Sequence, residues 1–397
     1  MHNDRRAFLK NTFQCGIALA LAAVGVWPRL ADGSGGGLAA EPRIRQYRLL
    51  GRTGLKVSDI GAGTYGLANA EVLSYALDLG VNLIDTAPNY GFQGKAEETV
   101  GEAIKRRRRE VVLITKWPSS NGHSKERMLQ SLHESLGRLQ TDYVDCILLH
   151  SVGEPGRISD PEVFRAFRQA KEQGRARFLG ISSHSGNMVQ IAEQAVDDGR
   201  FDVLLLAYNF GEYPDLNRLL AKAHGRGVGL IAMKTLKGAS REDRERFRTP
   251  NGTLRQAAFR WVLSNPHVSG LVTAMNSFSE VRESLGASGS LLSEEEKRLL
   301  QQYAGLTSKQ YCRPGCDYCA EACRHHLPIS DILRYRMYLL QYRLKTTAVE
   351  AYRALPGESQ ASACLSCRDN RCATLCPFGL PVHAMLSEAH RLLSMQA

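Results

Sequence analysis

Residues 111–150 read VVLITKWPSSNGHSKERMLQSLHESLGRLQTDYVDCILLH, and they hold the clearest signal of secondary structure in the chain. Two apolar runs rich in β-branched residues, Val111–Lys116 and Val144–His150, flank a segment with helical periodicity. Ser124 is placed to cap that helix, whose apolar residues share one face. Continuous apolar runs are typical of strands buried on both sides, as in a parallel sheet. The stretch therefore predicts one strand–helix–strand unit.

The same unit repeats along the middle of the chain. Strand starts lie about 25 to 40 residues apart, which leaves room for one crossover helix between neighbours. The pattern predicts an α/β fold, a (β/α)8 TIM barrel over residues 41–304. An open doubly wound sheet is the alternative, disfavoured because no glycine-rich dinucleotide fingerprint follows the first strand. The predicted strands are Val57–Gly61, Asn82–Asp85, Val111–Lys116, Val144–His150, Ala176–Ser182, Asp202–Tyr208, Val228–Met233 and Val268–Thr273.

Composition and charge exclude several classes of protein. The 397 residues are 43% hydrophobic and 23% charged, which excludes a disordered or collagen-like chain. No apolar run reaches the ~18 residues of a membrane span. The net charge is +11, but the tight basic run Lys105–Arg109 lacks interleaved aromatic residues. Nucleic acid is therefore not expected as a partner.

Four chemically active side chains follow consecutive predicted strands. Asp85 and Tyr90 follow the second strand, Lys116 ends the third, and His150 ends the fourth. In a barrel of this kind the carboxyl ends of the strands carry the chemistry. We expect Lys116 to lower the pKa of Tyr90, Asp85 to keep Lys116 charged, and His150 to orient a carbonyl oxygen. The sequence thus predicts a catalytic group of these four residues.

Three segments resemble the aldo/keto reductase family, and the likeness runs from about Arg43 to Leu300. They are residues 80–91 (GVNLIDTAPNYG), 113–116 (LITK) and 143–150 (YVDCILLH). The resemblance implies an oxidoreductase in which hydride passes between a nicotinamide and a carbonyl or alcohol substrate. It also implies that Tyr90 acts as the general acid.

The resemblance implies cofactor-binding residues as well. Ser182 and Ser183 lie where the family has a Ser-Asn pair that holds the nicotinamide. The family's carboxamide-binding glutamine falls on Leu205, and the arginine that many members use for the 2′-phosphate falls on Glu280. Lys234 and its neighbours replace a ring-stacking tyrosine. NAD(P)H is the implied cofactor, but an acidic residue would repel the phosphate of NADPH.

Eight of the ten cysteines lie in the last 86 residues. Their spacing approximates two bacterial ferredoxin runs, in which four thiolates hold an iron–sulfur cluster and the fourth can serve the other cluster. It predicts two 4Fe-4S clusters in an appended α-helical ferredoxin-like domain, residues 305–397, and leaves their ligand partition open. The two quartets are Cys312, Cys316, Cys319 and Cys323, and Cys364, Cys367, Cys372 and Cys376.

Zinc and disulfides are the alternatives for these cysteines. Zinc also takes four thiolates, but the terminal pair Cys376-Pro377 is typical of iron–sulfur runs. Disulfides within two short runs would mostly close very small loops, which contribute little chain-entropy stabilisation. Iron–sulfur clusters are the favoured interpretation.

Residues 1–40 predict a twin-arginine signal peptide and linker. The pair Arg5-Arg6 and the residues Phe8–Lys10 precede a short apolar stretch, Gly16–Trp27, and then a glycine-rich linker. A charged region followed by a short apolar one is typical of a secretion signal. We therefore expect a periplasmic protein, exported in the folded state by the twin-arginine translocation (Tat) machinery.

Two functional interpretations follow from these features. The first is an exported oxidoreductase that acts on a small carbonyl or alcohol and exchanges electrons with a donor or acceptor protein. The second is an exported iron–sulfur protein for electron transfer or redox sensing that uses the barrel as a scaffold. Leu205 and Glu280 favour the second interpretation, whereas the complete catalytic group opposes it.

Overall fold

The computed structural model of the protein describes residues 41–117, 124–211, 215–316 and 318–395. These ranges belong to a single unit, residues 41–397. The predicted signal peptide, residues 1–40, lies outside the described residues. Within the described ranges, no helix is both long and apolar enough to cross a bilayer.

Parallel strands close into a barrel, so the predicted (β/α)8 fold is confirmed. Each strand pairs with the next one along the chain, and the last pairs with the first. The strands are β1 (Ile60–Gly63), β2 (Leu83–Asp85), β3 (Val112–Trp117), β4 (Val144–Leu149), β5 (Ala176–Ser183), β6 (Val203–Ala207), β7 (Gly229–Met233) and β8 (Gly270–Ala274).

The predicted position of the first barrel strand is wrong by about three residues. Lys56–Ser58 belongs instead to a hairpin and pairs antiparallel with Tyr47–Leu49. Asp59 separates this hairpin strand from β1. Its buried carboxylate accepts hydrogen bonds from the Ser288 hydroxyl at 2.7 Å and the Gly289 N–H at 2.9 Å. The hairpin strand and β1 adjoin in the sequence and looked like one strand, because periodicity does not reveal which partner each strand takes.

Helices alternate with the strands. The predicted cap at Ser124 is present, because its hydroxyl accepts a hydrogen bond from the Arg127 N–H at 3.4 Å. A short strand pair, Arg248–Thr249 with Gly252–Thr253, precedes the eighth helix. The helices are α1 (Ala70–Asp78), α2 (Lys95–Ile104), α3 (Lys125–Arg138), α4 (Pro161–Glu172), α5 (Met188–Asp198), α6 (Asn217–Gly225), α7 (Arg241–Arg246), α8 (Leu254–Leu263), α9 (Phe278–Leu285) and α10 (Glu294–Leu306).

The C-terminal segment that follows is helical and has its own apolar core, which includes Ile332, Tyr352 and Leu386. Within it the chain turns between two longer helices, where Arg343 adopts a left-handed backbone conformation with a φ of 56°. The helices are α11 (Tyr318–Glu321), α12 (Ile329–Leu340), α13 (Lys345–Arg353), α14 (Arg371–Thr374) and α15 (Val382–Ser394).

Gly180 on β5 provides a test of how tightly the barrel packs. A methyl group there would lie 2.3 Å from the main-chain oxygen of Val203 and 2.5 Å from the Leu148 side chain. We expect Gly180→Ala to lower the free energy of unfolding by about 1–3 kcal/mol, because the overpacked strand must shift. Urea unfolding measures the effect. Gly137→Ala is the control, since no heavy atom lies within 4 Å of its new methyl group; equal losses in the two variants would contradict the prediction.

Candidate functional site

The carboxyl ends of β2, β3 and β4 bring together the polar residues predicted from the sequence. Asp85 is the last residue of β2, Lys116 lies in β3, and His150 follows β4. Lys116 Nζ donates hydrogen bonds to Asp85 Oδ1 and to the main-chain oxygen of Thr86, both at 2.6 Å. The strand order places these side chains at one mouth of the barrel, where barrel enzymes carry their chemistry.

Tyr90 completes this cluster from the turn that follows β2. Lys116 Nζ lies 4.7 Å from the centroid of its ring. The rings of His150 and Tyr65 pack edge-on against it, with centroid distances of 5.6 and 5.2 Å. The structure thus joins all four predicted residues in one chain of contacts, which runs from Asp85 through Lys116 and Tyr90 to His150.

The expectation that the pKa of Tyr90 is lowered is wrong. Burial, followed by the negative charge of Asp85, raises the pKa of Tyr90 well above its usual value. Lys116, whose ammonium group is hydrogen-bonded to Asp85 and Thr86 and lies over the Tyr90 ring, does not outweigh these two effects. Tyr90 therefore keeps its proton at neutral pH and can act as a donor.

His150 is neutral in this setting. Burial, and then the positive charges of Lys116 and Lys234, lower the pKa of its imidazole well below the usual range. Burial also lowers the pKa of Lys116 and raises that of Asp85, although each partner opposes the shift of the other. The cluster combines a buried ion pair with two neutral groups, a phenol and an imidazole, that can face a substrate oxygen.

Ser182 and Ser183, the predicted cofactor-binding residues, lie at the end of β5 and are buried. The Ser183 hydroxyl donates to the main-chain oxygen of Val152 at 2.7 Å. The Ser182 hydroxyl accepts from the Ser151 N–H at 2.8 Å. Both side chains are therefore engaged by the neighbouring β4 loop.

The two sequence departures at the cofactor site are also visible. Leu205 packs inside the barrel with Ile231 and other apolar side chains. Glu280 forms an ion pair with the buried Arg255 at 3.2 Å, and Glu283 holds the same guanidinium at 3.1 Å. The position expected to meet a 2′-phosphate thus carries the carboxylate of Glu280. The neighbouring cation, Arg255, is already paired with Glu280 and Glu283.

Sequence reasoning missed the residues that the C-terminal segment adds to this site. Lys234, directly after β7, donates to the Tyr338 hydroxyl on α12 at 2.6 Å. Arg334 on the same helix donates to the main-chain oxygen of His184 at 2.7 Å. No local signal could have revealed these contacts, because they join residues that are 104 and 150 positions apart.

The cysteines of the C-terminal segment form two groups of four. In each group, three cysteines come from one run and the fourth is the last cysteine of the other run. One cavity is lined by Cys323 from the first run together with Cys364, Cys367 and Cys372 from the second. The charges of Cys316, Cys319 and Cys376 act on the thiol of Cys312, so the last cysteine of the second run joins the first three.

Among the described residues, no three or more His, Cys, Asp or Glu side chains are grouped so that they could hold a metal ion. None of the following thiols forms a disulfide: Cys312, Cys319, Cys323, Cys364, Cys367, Cys372 and Cys376.

Comparison with known proteins agrees with the fold. The sequence profile of the Aldo/keto reductase family matches residues 60–253. L-galactose dehydrogenase of Arabidopsis thaliana is 29% identical over 281 residues, covering 61% of this chain and 88% of the relative. A probable voltage-gated potassium channel subunit beta of the same plant is 30% identical over 306 residues, covering 61% and 90%. The solved holo form of an aldo-keto reductase from Bacillus halodurans has a TM-score of 0.55 at 25% identity, covering 65% and 95%.

The family match, the related dehydrogenase and the solved reductase, together with the closed (β/α)8 barrel, identify the chain as an oxidoreductase. The chain belongs to the aldo/keto reductase family.

Proposed function

We propose that this oxidoreductase acts on a small carbonyl or alcohol at Asp85, Tyr90, Lys116 and His150, with Tyr90 as the general acid. One observation carries the proposal: the hydrogen-bonded pair of Lys116 and Asp85 lies against Tyr90, with His150 beside the same ring. Buried charges packed around a protonated phenol are an expensive arrangement that apolar packing does not require.

Each residue has a separate task in the proposed reaction. Tyr90 gives its proton to the carbonyl oxygen, for which its raised pKa keeps it protonated beforehand. Neutral His150 donates a hydrogen bond to the same oxygen and orients it. As negative charge develops on Tyr90, the ammonium of Lys116 against its ring compensates part of that charge.

The test is a turnover assay of the purified protein with a panel of aldehydes, ketones and alcohols. NADH, NADPH and an artificial one-electron donor or acceptor are supplied in turn. Turnover that depends on Tyr90 supports the proposal. Turnover that is unchanged in Tyr90→Phe contradicts it.

Hydride transfer to or from a nicotinamide is the finer form of this proposal, which the family resemblance suggests. When bound, NAD(P)H supplies the hydride. The described residues do not fit the family's cradle for it. The hydroxyls of Ser182 and Ser183 are engaged by the β4 loop, Leu205 offers no polar group, and Glu280 carries the wrong charge for a 2′-phosphate.

We therefore expect no saturable binding of NADPH up to about 1 mM, the upper end of usual KM values, in a fluorescence titration. Glu280→Gln should improve NADPH binding relative to NADH, because it removes a repelling charge. Glu283→Gln is the matched control, since Glu283 holds the same Arg255. Stoichiometric NADPH binding in the micromolar range, or an equal gain in the two variants, would contradict this expectation.

We infer that the C-terminal segment holds two iron–sulfur clusters, which supply one-electron transfer when bound. The proposed ligands are Cys312, Cys316, Cys319 and Cys376 for one cluster and Cys323, Cys364, Cys367 and Cys372 for the other.

Two observations support a fit of cluster and protein. A four-iron cluster binds each thiolate through a different iron, unlike a single zinc ion at about 2.3 Å from every sulfur. A cavity lined by four cysteines suits the former. In addition, the buried Nε of Arg313 has no hydrogen-bond partner among the described residues, and this cation interacts with Cys312. A negatively charged cluster would compensate it.

We propose that the Tat machinery exports the folded protein to the periplasm. Arg5 and Arg6 and the apolar stretch behind them support this proposal. Folded export would allow the clusters to be inserted in the cytoplasm, and an electron donor or acceptor protein would be met after export. Replacing both arginines with lysine should retain the protein in the cytoplasm, as cell fractionation can show; unchanged export would contradict the proposal.

Electron transfer or redox sensing without substrate turnover is the second candidate function. The observation that favours it is the lack of a nicotinamide cradle at Ser182, Ser183 and Glu280. It predicts reversible reduction of the clusters with no Tyr90-dependent turnover in the assay above. Any Tyr90-dependent turnover excludes it.

A further inference from the structure

The C-terminal segment is anchored over the barrel mouth, next to the proposed active site. Arg334 on α12 donates to the main-chain oxygen of His184 at 2.7 Å, and the Gly315 N–H donates to the main-chain oxygen of Ser185 at 2.9 Å. Both acceptors directly follow β5. One helical turn beyond Arg334, the hydroxyl of Tyr338 meets Lys234 Nζ at 2.6 Å. The segment therefore adds a phenol to the mouth of the barrel.

Lys234 occupies a strained and weakly compensated position. Its φ of 55° lies in the left-handed region, which costs energy for a side chain larger than glycine and recurs at functional sites. Unlike Lys116, which pairs with Asp85, it forms no ion pair with a carboxylate of the described residues. The Tyr338 hydroxyl, at 2.6 Å, is thus the group that can balance the charge of Lys234 most directly.

The environment of Tyr338 favours the loss of its proton. Burial would raise the pKa of its phenol, but the nearby cations Lys234 and Arg334 outweigh burial and lower it. Tyr90 is shifted in the opposite direction, in part by the charge of Tyr338. Two titratable groups whose pKa values are pushed apart are typical of an acid and a base that share one site.

We propose that Tyr338 and Lys234 form a second proton-transfer pair at the barrel mouth, which the C-terminal segment completes and which restores the proton of Tyr90. This inference rests on the proposed function, in which Tyr90 gives its proton to the substrate. Because Tyr338 acts through Tyr90, it is a positioning residue and not a catalytic one.

The proposed step moves one proton and one negative charge. After Tyr90 has protonated the substrate oxygen, it is a phenolate. The O–H bond of Tyr338 breaks as the O–H bond of Tyr90 forms again, directly or through water. The negative charge passes from Tyr90 to Tyr338, where Lys234 and Arg334 compensate it, and solvent then protonates Tyr338 for the next cycle.

Several other groups face the pair and belong in any analysis of its pH dependence. On the helix of Tyr338, Asp331 forms an ion pair with Arg334 at 2.6 Å. Burial raises the pKa of Tyr335 to about 12, so this residue does not ionise in the range expected for Tyr338. The titratable and charged groups around the pair are Tyr65, Tyr90, His150, His184, Tyr311, Cys312, Arg313, Asp331, Arg334, Tyr335 and Tyr342.

The test uses Tyr338→Phe, which removes only the hydroxyl. It is carried out on the full chain, after the metal content of each preparation has been measured. The pH-difference spectrum of tyrosinate in the near ultraviolet should show one tyrosine that ionises below the ordinary value of about 10. Tyr338→Phe should abolish this ionisation, and Lys234→Met should move it upward by at least about one pH unit, because the compensating charge is lost. Lys234→Arg should retain it. Tyr335→Phe, on the same helix, is the matched control and should leave it unchanged.

A kinetic readout separates this inference from the proposed function. In an assay with turnover, Tyr338→Phe should remove the corresponding limb of the kcat/KM profile against pH, whereas Tyr335→Phe should preserve it. If the tyrosine ionisation below about pH 10 were unchanged in Tyr338→Phe, the pair would be overturned, whatever the turnover of that variant. If Tyr338→Phe abolished the low-pH tyrosine ionisation while Tyr90→Phe kept full activity, the pair would be supported and the proposed function contradicted. If Tyr338→Phe abolished this ionisation but left the profile of kcat/KM against pH unchanged, the proton-transfer role would be overturned.

Discussion

Tyr90→Phe is expected to reduce carbonyl turnover by roughly 10²-fold or more, because it removes the proposed proton donor. The phenylalanine ring keeps the contacts with Lys116, His150 and Tyr65, so the barrel should remain folded. The effect is measured as kcat/KM for a carbonyl that the wild-type protein turns over, together with the melting temperature of both proteins.

Tyr65→Phe is the matched control for this substitution. Tyr65 packs edge-on against Tyr90 at 5.2 Å but is not a member of the proposed catalytic group. We expect activity close to that of the wild-type protein. If Tyr90→Phe retained full activity, the assignment of the general acid would be wrong. If both variants lost activity to the same extent, ring packing and not proton donation would explain the loss.

Protein purified without oxygen is expected to contain roughly eight irons and as many acid-labile sulfides per chain, from two four-cysteine groups. Cys146→Ser should retain all of the iron, since Cys146 is buried inside the barrel, away from both groups. Iron and sulfide analysis and the visible absorption spectrum measure the result. Stoichiometric zinc without sulfide would contradict the iron–sulfur proposal.

The grouping of Cys323 with the second run, and of Cys376 with the first, can be tested by single substitutions. Cys323→Ala should have the same spectroscopic effect as Cys364→Ala, and Cys376→Ala the same effect as Cys316→Ala, with about four irons retained in each variant. Electron paramagnetic resonance of the reduced protein distinguishes the cluster that remains. If Cys323→Ala instead matched Cys316→Ala, each run would hold its own cluster and this grouping would be wrong.

The barrel and the membership of its polar cluster could be predicted from the order of residues along the chain. Apolar runs at regular intervals predicted the strands, and most of the bounds differ from the structure by one or two residues. Asp85, Lys116 and His150 came together because consecutive parallel strands end at the same mouth, so their positions in the sequence already implied their proximity. Only the first strand was misplaced, where a hairpin adjoins the barrel.

The electrostatics of the site and the partners of its distant residues depend on how the whole chain packs. The pKa of Tyr90 depends on burial and on where the ammonium of Lys116 points, which no sequence pattern specifies. The contact of Tyr338 with Lys234, and the association of Cys323 with the second cysteine run, join residues far apart in the chain. Local periodicity describes which face of an element is buried. It does not describe which distant element covers that face, because packing of the whole chain selects that partner.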